Sequence, residues 1–256
     1  MGREWLDVPY AEKDQAKSLG AWWDDEARRW YAPRPGMRQL ARWAARPDLP
    51  ALLPGEDRTF GDGLFVDLIP ETCWFESART NIAPRDWERV RRMVTGRASR
   101  RCEVPGCRRA EDRRSGILLE AHERWEYQPG KQVLRRLICL CTRCHEATHF
   151  GLAGLRGRDT QAFSHLCTVT GMSSAAADRH VDEAFALWRS RSQHAWRLDL
   201  GILTRAGIGL AGQPATRSSR PRRLAWPLVG MQGPVAGAGG LAEMSFTDAS
   251  PGNTRP

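Results

Sequence analysis

The sequence predicts an α+β protein of two modules: a small strand–helix–hairpin unit, then a zinc-stapled hairpin-and-helix unit with flanking helices, followed by a loose C-terminal tail. Three observations carry this. Aromatic residues cluster in the first 50 positions around turn residues, two close cysteine pairs bracket a segment of hairpin size, and from about Ile208 the composition collapses into Gly, Ala, Pro, Ser and Arg. The expected division is 1–50 for the aromatic module, 51–84 for a connector, 85–200 for the zinc-binding domain and its helices, and 201–256 for a disordered basic tail.

In the first module, Trp5-Leu6-Asp7-Val8-Pro9 reads as a strand closed by proline. Tyr10 to Leu19 is rich in helix formers and stops at Gly20, a C-terminal cap. Ala21-Trp22-Trp23 and Arg28-Arg29-Trp30-Tyr31 flank the polar turn Asp24-Asp25-Glu26-Ala27, a hairpin pattern. Trp5, Trp22 or Trp23, and Trp30 are expected to fill the small core. The alternative is that rings beside Arg28 and Arg29 stand exposed and stack on bases.

Pro33, Pro35, Gly36, Pro47, Pro50, Pro54 and Gly55 punctuate the connector, with room for a short helix between Met37 and Ala45 and a strand between Phe60 and Pro70. Pro84-Arg85-Asp86 opens a helix with Trp87, Val90 and Val94 on one face. Past the second cysteine pair, Asp159 to Val169 reads as a helix stopped by Gly171. Ser173 or Ser174 then caps another, with Ala177, Val181, Ala184 and Trp188 at helical spacing. Two helices about a glycine turn fit a helix-turn-helix, though simple packing is the commoner arrangement.

Cys102-Glu103-Val104-Pro105-Gly106-Cys107 and Cys141-Thr142-Arg143-Cys144 each bring two thiols to one point, as a tetrahedral zinc requires. Cys73, Cys139 and Cys167 are left as small buried hydrophobes. Between the pairs, Ile117 to Glu123 and Val133 to Cys141 read as the strands of a hairpin. His145 and His149, four residues apart, share one face of a helix that starts at the second knuckle. With His122 and Glu123 from the hairpin they make four polar groups able to hold a second, catalytic divalent ion.

Two resemblances follow from these residues. Leu6 to Tyr10, Glu12-Lys13-Asp14, Ala16-Lys17, Leu19-Gly20-Ala21, Trp23-Asp24 and Trp30 to Pro33 resemble a small domain of unknown function attached to plasmid primase-like and antirestriction proteins. Cys102, Cys107, Leu119-Glu120-Ala121-His122, Leu137 to Leu140, Cys141, Cys144 and His145 resemble the HNH endonucleases, whose ββα-metal core is often stapled by a four-cysteine zinc. The second resemblance implies metal-assisted hydrolysis of DNA phosphodiester bonds. His145, His149 and His122 would hold Mg2+, Mn2+, Ni2+ or Zn2+, and His122 or Glu123 would deprotonate water. Arg124, Arg136 or Arg143 would neutralise the phosphate. The match departs from the pattern in places. With His122 as ligand, Glu123 stands where the base histidine belongs; with His122 as base, Ala121 takes a ligand position; and Arg136 replaces the usual asparagine. A zinc module that binds nucleic acid without cleaving it is the alternative, and a protein–protein adaptor a third.

A net charge of +9 points to nucleic acid as partner, DNA first. Yet 36 of the 39 basic residues are arginine, a bias that a GC-rich genome also produces. No apolar run reaches membrane-spanning length and the N-terminus lacks the pattern of a signal peptide, so a cytoplasmic protein without membrane partner is expected. Oligomeric state is left open.

Overall fold

The computed structural model describes residues 2–74 and 76–211. Among the described residues the fold is α+β, with two separate three-stranded sheets and two hydrophobic cores. Among the described residues, no helix is long and apolar enough to cross a membrane.

The first sheet has β1 (Glu4–Leu6), β2 (Trp22–Asp24) and β3 (Arg29–Ala32), with β3 in the centre and both pairings antiparallel. A 3-10 turn, Tyr10–Glu12, runs into α1 (Lys13–Ser18). Gly20, at φ 92°, ends α1 as expected: its amide bonds Lys17 O, and the Ala21 amide bonds Ala16 O. That pairing satisfies two orphan carbonyls and needs a left-handed residue at Gly20.

The core of this module differs from expectation. It consists of Leu6, Val8, Ala16, Ala21, Ala32, Leu40 and Trp43, with Trp30 against it, whereas Trp22 is 59% exposed. The reason is strand alternation: Leu6, Trp30 and Ala32 face inward, so their neighbours Trp5 and Tyr31, and Trp22 opposite Tyr31, face out. Trp43 arrives from the 3-10 segment Arg38–Trp43, in place of the expected short helix, and donates its indole N–H to Glu12.

The second sheet is the long hairpin β4 (Leu119–Gln128) and β5 (Lys131–Cys141), with β6 (Arg197–Asp199) parallel to the start of β5. Gly130, at φ 70°, makes the turn, and a bulge follows Arg124. Around the hairpin pack α2 (Ala78–Asn81), α3 (Pro84–Arg97), α4 (Thr142–Thr148), α5 (Phe150–Leu155), α6 (Asp159–Thr170), α7 (Ser174–Arg191) and α8 (Gly201–Thr204). Val90 and Val94 of α3 are fully buried, Gly171 ends α6, and the Ser173 hydroxyl caps α7, all as the sequence indicated. The α6–α7 pair packs into the core through Leu166 and Ala177.

Two of the expected boundaries are corrected. The 51–84 stretch is no mere connector, because Leu53, Leu64, Val66, Ala78 and Ile82 belong to the main core. Residues 201–211, expected to open the tail, form α8 and bury Ile202, Leu203 and Ile208 in that core. The remainder of the tail, with Arg217, Arg220, Arg222 and Arg223, lies outside the described residues.

Beside this apolar burial, buried charge also fastens 51–70 to the hairpin. The Glu56 carboxylate accepts from both terminal nitrogens of Arg97, at 2.7 and 2.6 Å, and from the Leu137 amide at 2.9 Å, with no side-chain exposure. Burial pushes the Glu56 carboxyl up, but Arg97 and the Leu137 amide outweigh it and hold the group below its ordinary range. Removing one partner strands the other in the interior, so Glu56→Gln is expected to cost about 3–5 kcal/mol, read from urea unfolding. Because ionisation is favoured in the fold, this contribution is whole above the ordinary carboxylate range and fades as pH falls through the lowered value. Wild-type and E56Q stabilities should therefore converge in acid; a gap independent of pH would contradict the assignment.

Candidate metal centres

The cysteine cluster is built where β5 passes into α4. Cys141 is the last residue of β5 and the N-cap of α4, and Cys144 lies in the first turn of that helix. The other pair sits on a knuckle in which Val104 O accepts from the Cys107 amide at 3.0 Å. Glu103 secures the knuckle to the hairpin: its amide donates to Cys139 O at 2.8 Å, and its carboxylate accepts from the Cys139 amide at 2.7 Å. A methyl group on Gly106 would overlap the Val169 carbonyl oxygen of α6, so glycine is required by close approach rather than by backbone angle.

All four sulfurs lie within 4.8 Å of one another, and Cys107 Sγ is 3.6 Å from Cys141 Sγ. Tetrahedral zinc with bonds of about 2.3 Å sets its sulfurs about 3.8 Å apart, whereas a disulfide needs about 2.05 Å. Contact among the thiols draws Cys107 and Cys141 down and pushes Cys102 and Cys144 up. Four sulfurs at these separations are the donor set of a structural zinc, and they fit that ion. His165, on α6 and absent from the sequence argument, places Nε2 3.2 Å from Cys144 Sγ. Burial disfavours its protonation, yet the Cys107 and Cys141 thiolates overcome that and raise its pKa.

One residue beyond the staple, His145 begins the second cluster. His122 of β4, His145 of α4 and His149 at the end of α4 place their ring centroids 5.3, 4.9 and 4.7 Å apart, with donor nitrogens within 4.8 Å. His122 is only 3% exposed and its Nε2 is buried without a protein partner. Burial first, then mutual repulsion and the nearby Arg124 guanidinium, keep His122 well below the ordinary imidazole range and bring His149 down to about 3. Burial also lowers His145. All three are thus neutral at pH 7, the form that ligates metals. Glu120, two residues before His122 and on the same strand face, lies 3.6 Å from His145 Nδ1. Alternation along β4 is the sequence signal that would have found it.

Three candidates are placed elsewhere. Glu123 does not join the histidines: it occupies the opposite face of β4 and accepts from the Ala78 amide at the start of α2, at 2.9 Å. Its burial pushes the carboxyl up to about 7. Arg124 is fully buried, bonding Gly63 O at 3.1 Å and lying 4.1 Å over the Phe65 ring. Arg136 is 4% exposed, beside Glu103 and Asp62 at 3.6 Å each. Neither arginine presents a cation to solvent, whereas Arg143 stays exposed on α4.

Metal analysis of the purified chain is expected to find zinc in the cysteine site, and Cys144→Ser to lose it together with cooperative unfolding. Gly106→Ala, which forces the knuckle and α6 apart, should destabilise by about 1–3 kcal/mol and speed zinc loss to a chelator. Unchanged stability and zinc retention in G106A would show that the Val169 contact does not hold the staple.

Comparison with known proteins concerns the N-terminal module. Residues 3–45 match a family described as a domain of unknown function, DUF5710. Two Escherichia coli proteins described as "DNA primase TraC" are 52% and 48% identical to this chain over 44 residues. Those residues are 16% of this chain and only 3% and 4% of the two proteins. No solved structure matches. The N-terminal resemblance read from the sequence is thereby supported, and for these residues the chain is similar to a short piece of a DNA primase.

Proposed function

We propose that this chain is a metal-dependent endonuclease of the HNH type, acting on DNA in the cytoplasm. The observation that carries the reading is the convergence of three neutral imidazoles, one from a hairpin strand and two from the following helix, beside a four-cysteine staple. The primase-like N-terminal residues and the net charge of +9 favour nucleic acid as the partner.

In this reading His122, His145 and His149 hold one divalent cation, and the imidazole set favours Mn2+, Ni2+ or Zn2+ over Mg2+. When bound, the ion stabilises charge on the phosphate and on the leaving 3′ oxygen. Glu120 orients the His145 ring by facing its Nδ1. Glu120 is also the carboxylate on the histidine face that can accept a proton from water, the task the sequence had assigned to His122 or Glu123. Arg143, exposed at the start of α4, is left as the phosphate-binding candidate. The buried charge of Arg124 disfavours protonation of all three histidines.

One observation favours the second reading, a nucleic-acid-binding module without catalysis. The expected base Glu123 is engaged by α2, and two of the three expected phosphate arginines are buried. A supercoiled-plasmid assay separates the two. The zinc-replete protein should nick in Mg2+, Mn2+ or Ni2+ and not without added metal. His145→Ala should fall to background, and Glu120→Ala should lose about 10–100-fold. Absence of nicking with every metal, while DNA is still retarded on a gel, would select the binding module.

A further inference from the structure

From the outer face of the first sheet we infer that the N-terminal module is a stacking platform for single-stranded nucleic acid. This deepens the reading above and rests on it only for the class of partner. The register sets Trp5 opposite Tyr31 and Tyr31 opposite Trp22, so the three rings form a row across all three strands. Their centroids are 6.0 and 6.3 Å apart in edge-on contact. The row lies on the face turned away from the module's own core, and Trp22 is 59% exposed.

Cations stand on these rings. Arg3 is 5.0 Å from the Tyr31 ring centroid and 5.8 Å from that of Trp5, and Arg29 is 5.6 Å from Trp5. Arg38 is exposed, forms no ion pair among the described residues, and shares with Trp5 the lining of a cavity of about 470 Å³. Aromatic faces next to guanidinium groups suit a strand whose bases stack while its phosphates are neutralised. An apolar protein surface laid on the same row would bury the half-exposed Arg3 against carbon, whereas Arg29 is already paired with Asp7 and Asp48. The ion pair between Arg3 and Asp24 is no obstacle, since Arg3 is half exposed and such pairs hold weakly against a competing phosphate. Duplex DNA, with its bases already stacked, gains nothing from the rings.

The test is fluorescence anisotropy on the full chain without added divalent metal. The probes are labelled oligothymidylate and oligouridylate of about 16 nucleotides and a duplex of equal length. The expected result is tighter binding of the single strands than of the duplex. Trp22→Ala should weaken strand binding by about 5- to 100-fold with the salt dependence unchanged, and Trp22→Phe should restore it. Arg3→Ala should instead reduce the slope of log affinity against log salt by about 0.7. Trp22-dependent binding of either oligonucleotide carries the inference, and their ratio tells DNA from RNA. Strand binding that ignores Trp22→Ala, or a wild-type chain that prefers the duplex, overturns it. Plasmid nicking by the same preparations keeps the two readings apart: strand binding lost in W22A with no nicking by wild type refutes only the nuclease, and nicking with Trp22-independent binding refutes only the platform.

Discussion

The structure depends on a constraint of charge at one point. Four thiols meet where β5 becomes α4, and they cannot all ionise together unless a dication lies among them. Once held, they fix the first turn of α4 through Cys141 and Cys144, and they tie that turn to the Cys102–Cys107 knuckle. The adjacent His145, and His149 one turn on, are thereby set against His122 of β4. The histidine site therefore needs no flexible loop for its precision. It stands on a strand and a helix whose junction carries two of the four clustered cysteines, regular elements that hold side-chain geometry better than loops do.

A second set of charges shapes the surface by being absent from it. Arg97, Arg124 and Arg136 lie almost wholly inside, against Glu56, Gly63 O, and Glu103 with Asp62 respectively. All three bind the 51–70 segment: Arg97 through Glu56, Arg124 through Gly63 O and Arg136 beside Asp62. The number of arginines is thus a poor guide to phosphate contacts, because several guanidinium groups are used inside the fold. Guanidinium groups suit this use: they bond carboxylates and carbonyls bidentately and stack on rings such as Phe65.

The N-terminal module shows how few residues are needed to divide a sheet into two roles. Of the aromatics in the three short strands and the 3-10 segment, Trp30 and Trp43 serve the core while Trp5, Trp22 and Tyr31 line the outer face. The module is fastened to the larger core by ion pairs, including Asp7 with Arg92 and Arg46 with Asp86.

The local features were legible in the residues themselves. Gly20 and Gly171 ended their helices, Pro84 opened α3, two cysteine pairs announced one cluster, and the spacing of His145 and His149 put both on one helix face. Each of these is decided within a few residues by backbone geometry or ligand spacing. Tertiary structure alone decided which face of a strand is inside, and so made Trp43 rather than Trp5 or Trp22 a core residue. It also turned Glu123 toward α2, buried Arg124 and Arg136, brought His165 from α6 to Cys144, and drew 51–70 and 201–211 into the main core. Short strands with aromatic or charged residues on both faces carry no inside-outside signal, and a pairing across tens of residues leaves no trace in local pattern. Those choices follow from which elements pack together.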